Sequence, residues 1–431
     1  MISNLQYSSF YITTLGCSKN TVDSEILKGK LHKAGLQWSK PDNCDILIIN
    51  TCGFILDAKE ESIEAIMDAI NLKKAGKIKK LLVIGCLVER YKEELEKEIP
   101  EVDNFFGVEP FHQVMEELAE DQLAPRELLT PHHYAYLKIA EGCDNSCSFC
   151  SIPEIRGFQH SKKIEDLLEE AHYLSSLGVK ELILIAQDTT RYGTDLYGKK
   201  MLRELLAQLL DEKLFPRVRL MYTNPDFWDS GINALYNKYT EFCPYVDLPI
   251  QHAADSLLDK MNRKKNKEEI RYIISKLRND VEEIVIRTTV MVGFPGETQK
   301  EFYELLDFIE EMKFERLGAF KYSEEEGTEA AAFEDNISEQ VKEDRLEMVM
   351  QTQYDISNAF ARDKVGKELN VIIDKKDGNE AQGRTVWDAP DVDCDVYIQD
   401  SEVQVGNIYK VLITEVRDFD LIGKIKGEVK I

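Results

Sequence analysis

Apolar runs recur through the first part of the chain, at Phe10–Leu15, Asp45–Asn50 and Leu81–Ile84. Between them apolar residues fall at helical spacing. In Ala58–Lys74, Ile63, Ile66, Met67 and Ile70 share one face, the mark of an amphipathic helix. Strand–helix alternation of this kind predicts a doubly wound parallel sheet over residues 1–125. A Pro- and His-marked stretch, LAPRELLTPHHYAY, ends it. A second alternating series then carries six apolar runs: YLKIA, ELILIAQ, RVRLMYT, YVDLPIQ, IVIRTTVMVGF and LGAFKYS. Six strands joined by helices predict an incomplete (β/α) TIM-like barrel, with its active site at the strand carboxyl ends. With a trailing helical stretch, Ser338–Asp363, it spans 132–365. Residues 366–431 change character. Short β-branched runs (ELNVIID, DVYIQD, YKVLITEVRD, LIGKIKGEVKI) predict a small antiparallel β-barrel. No long internal repeat or low-complexity segment interrupts this α/β plan.

Composition narrows the class. The chain has 431 residues, 43% of them hydrophobic, enough for several buried cores and more than one domain needs. No apolar run approaches 18 residues, so no transmembrane helix is expected. The opening MISNLQYSSFYITTLG lacks a charged start and a small-residue cleavage site, which points to the cytoplasm. In that compartment nine cysteines argue for metal or redox chemistry instead of disulfides. The net charge of −25 repels phosphate backbones at long range. It counts against direct nucleic-acid binding and suits a small ligand or a basic protein partner.

The cysteines themselves are patterned. Cys143, Cys147 and Cys150 follow the first barrel run with C-x3-C-x2-C spacing. Three thiolates on one loop hold three irons of a four-iron cluster and leave the fourth open for chemistry. Ferredoxin spacings and structural zinc sites supply four ligands instead. His160, the nearest further candidate, reads as a polar loop residue. Cys17, Cys52 and Cys86 each end one of the first three apolar runs, two after a glycine and one before Gly53. Loops at the carboxyl ends of parallel strands converge on one crevice, so these three thiols are expected to meet as a second set. Cys44, Cys243 and Cys394 have no such context and read as ordinary core or loop residues. Polar residues also follow the remaining barrel runs: Gln187 and Asp188, Asn224, Gln251 and His252, Gly293 to Glu297, and Tyr322 with Ser323. Phe158 and Tyr192 read as packing.

The C-x3-C-x2-C loop, with Phe149 before its last cysteine, resembles the radical S-adenosylmethionine enzymes, and the whole chain resembles their methylthiotransferase family. Five segments resemble its ribosomal-protein branch: GCSKNTVDSE, AQDTTRYGTD, DLPIQHAADSLLDKMNR, FKYSEEEGTEA and GRTVWDAPDVD. The resemblance implies an N-terminal methylthiotransferase domain, a radical barrel and a terminal TRAM domain. It implies two 4Fe-4S clusters, on Cys143, Cys147 and Cys150 (radical) and on Cys17, Cys52 and Cys86 (auxiliary), together with S-adenosyl-L-methionine. Phe149 is expected beside the adenine. Gln187, Gln251, Arg263, Gly293, Gly296 and Glu297 are expected to contact cofactor or substrate, and His252 is either an acid–base group or a hydrogen-bonded structural residue. The implied reaction adds a methylthio group to the β-carbon of an aspartate in small-subunit ribosomal protein twelve, with an electron donor and a sulfur donor as further partners.

The terminal segment Gly366–Ile431 carries a net charge of −5. An acidic barrel suits a Lys/Arg-rich protein, whereas an RNA-binding one should be basic. That charge speaks against the first alternative, a tRNA adenosine methylthiotransferase. A two-cluster electron carrier predicts fourth cysteine ligands, and a corrinoid-dependent methylase leaves Cys17, Cys52 and Cys86 unexplained.

Overall fold

The computed structural model describes residues 7–119, 123–399 and 402–429. The opening MISNLQ and the ends of the runs DVYIQD and LIGKIKGEVKI lie outside them. The chain forms two compact units. One is Met1–Thr130 with Gly142–Asp144 and Ser151–Phe158; the other is Pro131–Glu141, Asn145–Cys150 and Gln159–Ile431.

The first unit holds a five-stranded parallel sheet. Its spatial order is Gln37–Trp38, Ser9–Thr14, Ile46–Thr51, Lys80–Gly85, Asn104–Phe106. The central strand, ILIINT, is buried at every residue, as expected of a strand covered on both faces. Leu47, Ile49, Leu81 and Val83 form one core with Ile66 and Ile70 of the helix Leu56–Lys74. Ile46, Ile48, Leu82 and Ile84 form a second core with Leu27 and Leu31 of Ser18–Lys33. Two separate cores, one per face, are what the doubly wound plan requires.

All six runs of the second series become strands: Tyr134–Lys138, Glu181–Ile185, Arg217–Leu220, Tyr245–Asp247, Val285–Val292 and Arg316–Lys321. They pair in parallel as two three-stranded sheets, with a parallel bridge Val218–Phe242 between the third and fourth runs. The long helix Glu339–Arg362 follows. It is tied to the barrel where Gln353 donates to Phe314 O at 2.9 Å.

The terminal segment is a closed five-stranded barrel, one strand more than the sequence suggests. The extra strand, Glu380–Arg384 (EAQGR), has little apolar content but pairs with both neighbours. Its pairings are not all antiparallel either: Val396–Gln399 runs parallel to Asp420–Glu428. Five strands cannot alternate direction around a closed ring, so one neighbouring pair must run parallel.

This small barrel sits against the amino ends of the central strands. Strand-opening residues meet it directly. Arg217 donates to Arg384 O (3.2 Å), Tyr245 Oη to Asp393 (2.8 Å) and Arg316 pairs with Asp388 (2.6 Å). At their centre the fully buried Glu181 pairs with Arg219 (2.7 Å) and Arg384 (3.0 Å). The carboxyl ends, where the cysteine loop and the polar residues emerge, are left to the site.

Candidate functional site

In the first unit, three strands run into three cysteines and then into helices. Cys17 caps Ser18–Lys33, Cys52 follows Ile46–Thr51, and Cys86 opens Cys86–Glu98. The sheet order places the first two where the winding reverses, the position of ligand crevices in such folds. The three thiols lie close enough to feel one another's charge. Burial first, and then neighbouring Cys17, push Cys52 above the ordinary thiol value. Burial pushes Cys86 to about 11, with Cys17 and Cys52 adding to it and Arg156 opposing.

Close backbone approach makes this possible. Gly16 has φ +83°, and a Cβ on it would lie 2.7 Å from Cys52 Cβ; one on Gly53 would lie 2.7 Å from Leu87 Cα. Ser62 clamps Cys52 by accepting from its N–H (3.0 Å) and donating to its carbonyl (2.9 Å). Asn20 donates to Leu15 O (2.8 Å) and Thr51 O (3.0 Å), and its Oδ1 accepts from Arg156. Asp23 holds the Arg156 guanidinium at 3.3 Å. Three soft donors, helix N-termini and a buried guanidinium together favour an anionic sulfur-ligated centre. Asn20 and Asp23 belong to the quoted GCSKNTVDSE motif, but Arg156 carried no signal of its role.

Of the second cysteine set, Cys143 belongs to the first unit. Its N–H donates to Gly157 O (3.0 Å), and Gly142, at φ +73°, leaves room for Phe158 O, which an added Cβ would approach to 2.2 Å. Cys147 and Cys150 belong to the second unit. There Cys150 N–H donates to Cys147 O (3.1 Å), and Ser148 bonds Met261 O and Lys260 O. Burial raises the Cys147 thiol while Arg263, 3.9 Å from its Sγ, opposes the shift. Arg263 also donates to Asn224 (2.8 Å) and pairs with Asp226 (3.4 Å). Asn224 and Asn145 both donate to Asp188. Residues after three different strands thus join one network with the cysteine loop, and Asn145 and Asp226 are the members that sequence reasoning missed.

The other expected site residues divide. Phe149 packs on the core of Leu257, Met261, Met291 and Phe294. Gln187 donates to Glu141 (2.6 Å), and its Oε1 is buried without a partner. Gln251 holds φ +68°, and its Oε1 is also buried and unpartnered. Glu297 differs. Its side chain is 0% exposed, and it binds Arg345 (3.0 Å), His252 (3.4 Å) and the Gly293 N–H. These contacts tie its carboxylate to the Gly293–Gly296 turn. Gly293 (φ +73°) and Gly296 (φ +83°) are fixed by that turn and by Lys342 and Lys260, whose side-chain atoms lie 2.4 Å from where a Cβ would stand. His252 is fully buried and accepts from Ala254 N–H (3.0 Å), the hydrogen-bonded structural alternative. Tyr192 is buried and donates to Lys162 O (2.7 Å). Phe158 is not packing, since it is 81% exposed. Among the described residues no helix is long and apolar enough to cross a membrane.

Comparison with known proteins follows the same three regions. Residues 9–107 match the Uncharacterized protein family UPF0004, 137–309 the Radical SAM superfamily and 365–425 the TRAM domain. Among solved structures, the radical S-adenosylmethionine methyltransferase TsrM of Kitasatospora setae shares the fold. Its TM-score is 0.55 at 12% identity, over 73% of each chain. The cobalamin-dependent radical enzyme OxsB gives 0.51 at 11%, over 81% of this chain and 58% of that one. Curated relatives are far nearer. A Chloroherpeton thalassium protein is 45% identical over 97% of this chain and 98% of its own, and one from Clostridium tetani is 42% identical over the same shares. Both carry the name ribosomal protein uS12 methylthiotransferase RimO. Identity at this level, sustained through all three regions, means that the chain belongs to the RimO family of radical S-adenosylmethionine methylthiotransferases.

Proposed function

We propose that this enzyme adds a methylthio group to the β-carbon of one aspartate of ribosomal protein uS12, and that its six patterned cysteines hold the family's two 4Fe-4S clusters. The observation that carries the reading is the presence of two separate three-cysteine sets, each lacking a fourth cysteine. The auxiliary set meets at the carboxyl ends of one parallel sheet; the other lies on a loop tied to the barrel network. A β C–H bond is not acidic enough for a side-chain base. When bound, S-adenosylmethionine and the clusters supply radical chemistry, sulfur and a methyl group.

The chain's own residues bind, orient and exclude water. Cys143, Cys147 and Cys150 would hold the radical cluster, with Arg263 offsetting charge beside Cys147. Cys17, Cys52 and Cys86 would hold the auxiliary cluster, with Arg156 in the corresponding place. Phe149 offers an apolar wall for the adenine, and the orphan oxygens of Gln187 and Gln251 accept from ligand donors. Glu297 keeps the Gly293–Gly296 turn in shape. The sulfur and the electron must be renewed each cycle, so a sulfur donor and an electron donor are required partners. Exposed Asp377, Glu380, Glu415 and Asp418 on the terminal barrel suit a basic ribosomal protein. The reaction is placed in the cytoplasm, with its substrate.

The test is an anaerobic assay of reconstituted, reduced protein, offered a uS12 loop peptide and unmodified tRNA in parallel, with mass spectrometry as readout. A methylthio gain on the peptide aspartate is expected. Cys143→Ala should abolish S-adenosylmethionine cleavage, and Cys86→Ala should keep cleavage but lose sulfur insertion. A gain on tRNA alone would overturn the substrate; cleavage surviving in Cys143→Ala would overturn the ligand assignment.

A further inference from the structure

Two basic runs, Asn262–Lys267 (NRKKNK) and Gly198–Lys200 (GKK), are mostly unused by the reading above. The fold brings both to one aromatic ring. Arg191, Lys200 and Lys264 place their charges 5.0, 5.4 and 4.8 Å from the centroid of the half-buried Phe227. Lys199, Lys200 and Lys264 are exposed. The next residue, Trp228, lines a cleft of about 530 Å³ together with Tyr272, Glu268, and the ion-paired Lys265 (to Glu269, 2.7 Å) and Lys276 (to Asp280, 2.9 Å), so the cluster of cations is the one around Phe227. Tyr272 is 67% exposed.

This patch lies on the turn Pro225–Phe227, directly after Asn224, at the carboxyl face of the central barrel. Asp226 of the same turn pairs with Arg263, which reaches Cys147. A single cation over the ring would satisfy a cation–π contact. Three cations there repel one another. In a chain of net charge −25, three cations gathered on one ring make a local surface that suits an anion. Cations beside two neighbouring aromatics, one of them lining an open cleft, match phosphate contact combined with base stacking.

We propose that Lys200, Lys264 and the Phe227–Trp228 pair form a contact for single-stranded RNA at the rim of the substrate face. Resting on the proposed function, this means that the enzyme recognises uS12 together with adjoining RNA. Local contact of this kind is compatible with an acidic whole, because screening removes the distant field beyond about 10 Å.

The test uses the full-length, cluster-reconstituted protein and an end-labelled polyuridine strand, read by fluorescence anisotropy over a salt series. Two phosphate contacts, from Lys200 and Lys264, predict a log–log salt slope of about −1.4. The pair Lys200→Glu and Lys264→Glu should weaken binding at least about tenfold and flatten the slope. Trp228→Ala should weaken it at least about fivefold and leave the slope unchanged. Absence of salt-dependent binding, insensitivity to the lysine pair, or equal binding of a polyglutamate peptide would each overturn the proposal. On the free uS12 peptide the lysine variants should turn over at the unsubstituted rate; on RNA-bearing small subunits they should be slower. Failure of the unsubstituted enzyme on the peptide would count against the proposed function and leave the RNA measurement standing.

Discussion

Gln251 carries two local costs. Its φ of +68° disfavours a residue with a Cβ by about 1–2 kcal/mol. Its buried Oε1 has no partner, worth about 1–3 kcal/mol. Yet the backbone is held on both sides, by Gln251 N–H to Thr289 O (2.9 Å) and by Met291 N–H to Gln251 O (2.7 Å). Strain enforced by its surroundings and coupled to an orphan polar atom points to a ligand contact. Gln251→Leu should therefore raise the ligand-free stability by about 1 kcal/mol and weaken S-adenosylmethionine binding at least about tenfold, read by thermal melting and by calorimetry. A variant that melts lower, or binds the cofactor unchanged, would show that the amide is structural. The six cysteines stand out at this scale because spacing and strand-end position are local properties. Arg156 does not, because Asp23, its partner, lies 133 residues away. For Glu297 the sequence does not show its partners, since only the fold brings Arg345 and His252 against its carboxylate.

The element that recurs in the first unit is strand, cysteine, helix. It was readable from apolar runs ending at cysteines, and the strands Ser9–Thr14, Ile46–Thr51 and Lys80–Gly85 fall within a residue of the expected limits. What periodicity does not show is how tightly the third repeat turns. Gly85 sits at φ +101°, and a Cβ there would fall 2.5 Å from Asn50 Oδ1 and 2.7 Å from Thr51 O. Gly85→Ala must move either the strand end or the start of Cys86–Glu98. We expect a loss of more than about 1 kcal/mol and iron falling from about eight to about four per chain, the count for one four-iron cluster instead of two. S-adenosylmethionine cleavage should persist. Iron assay with a cleavage assay checks this; full iron loading would mean that Cys86 is dispensable to the auxiliary centre. The strand missed by the sequence reading, Glu380–Arg384, shows the opposite limit. Only Ala381 among its residues is apolar and buried, so ring closure, a non-local demand, makes it a strand.

At the scale of the whole molecule, acidity has two uses. The net charge of −5 in Gly366–Ile431 reads from sequence as a surface for a basic partner. Much of it faces inward instead. Asp374 pairs with Arg384 (2.8 Å), Asp388 with Arg316 (2.6 Å) and Asp393 with Arg287 (3.4 Å). Arg316 and Arg287 come from distant parts of the chain, which is why no local pattern announces these pairs, and they fasten the terminal barrel to the central one within one compact unit, whereas the Asp374–Arg384 pair joins neighbouring strands of the terminal barrel itself. Glu181 is the hub. Burial alone would raise its carboxyl, but Arg384, Arg219 and Arg217 outweigh burial and hold it at about 2, below the ordinary 4.5. A depressed carboxyl stabilises the fold above its unfolded value, and that contribution is lost as pH falls from about 4.5 to about 2. Glu181→Gln should cost about 3–5 kcal/mol at neutral pH, because the guanidiniums stay buried without their anion. It should also flatten the acid limb in that window. Calorimetry should then show the terminal barrel melting apart from the central one. The network lies at the amino ends of the strands, away from Gln187, Asn224 and Gln251, so S-adenosylmethionine cleavage per folded molecule should be unchanged. A variant that cleaves poorly while fully folded would show that the two ends of the barrel are coupled.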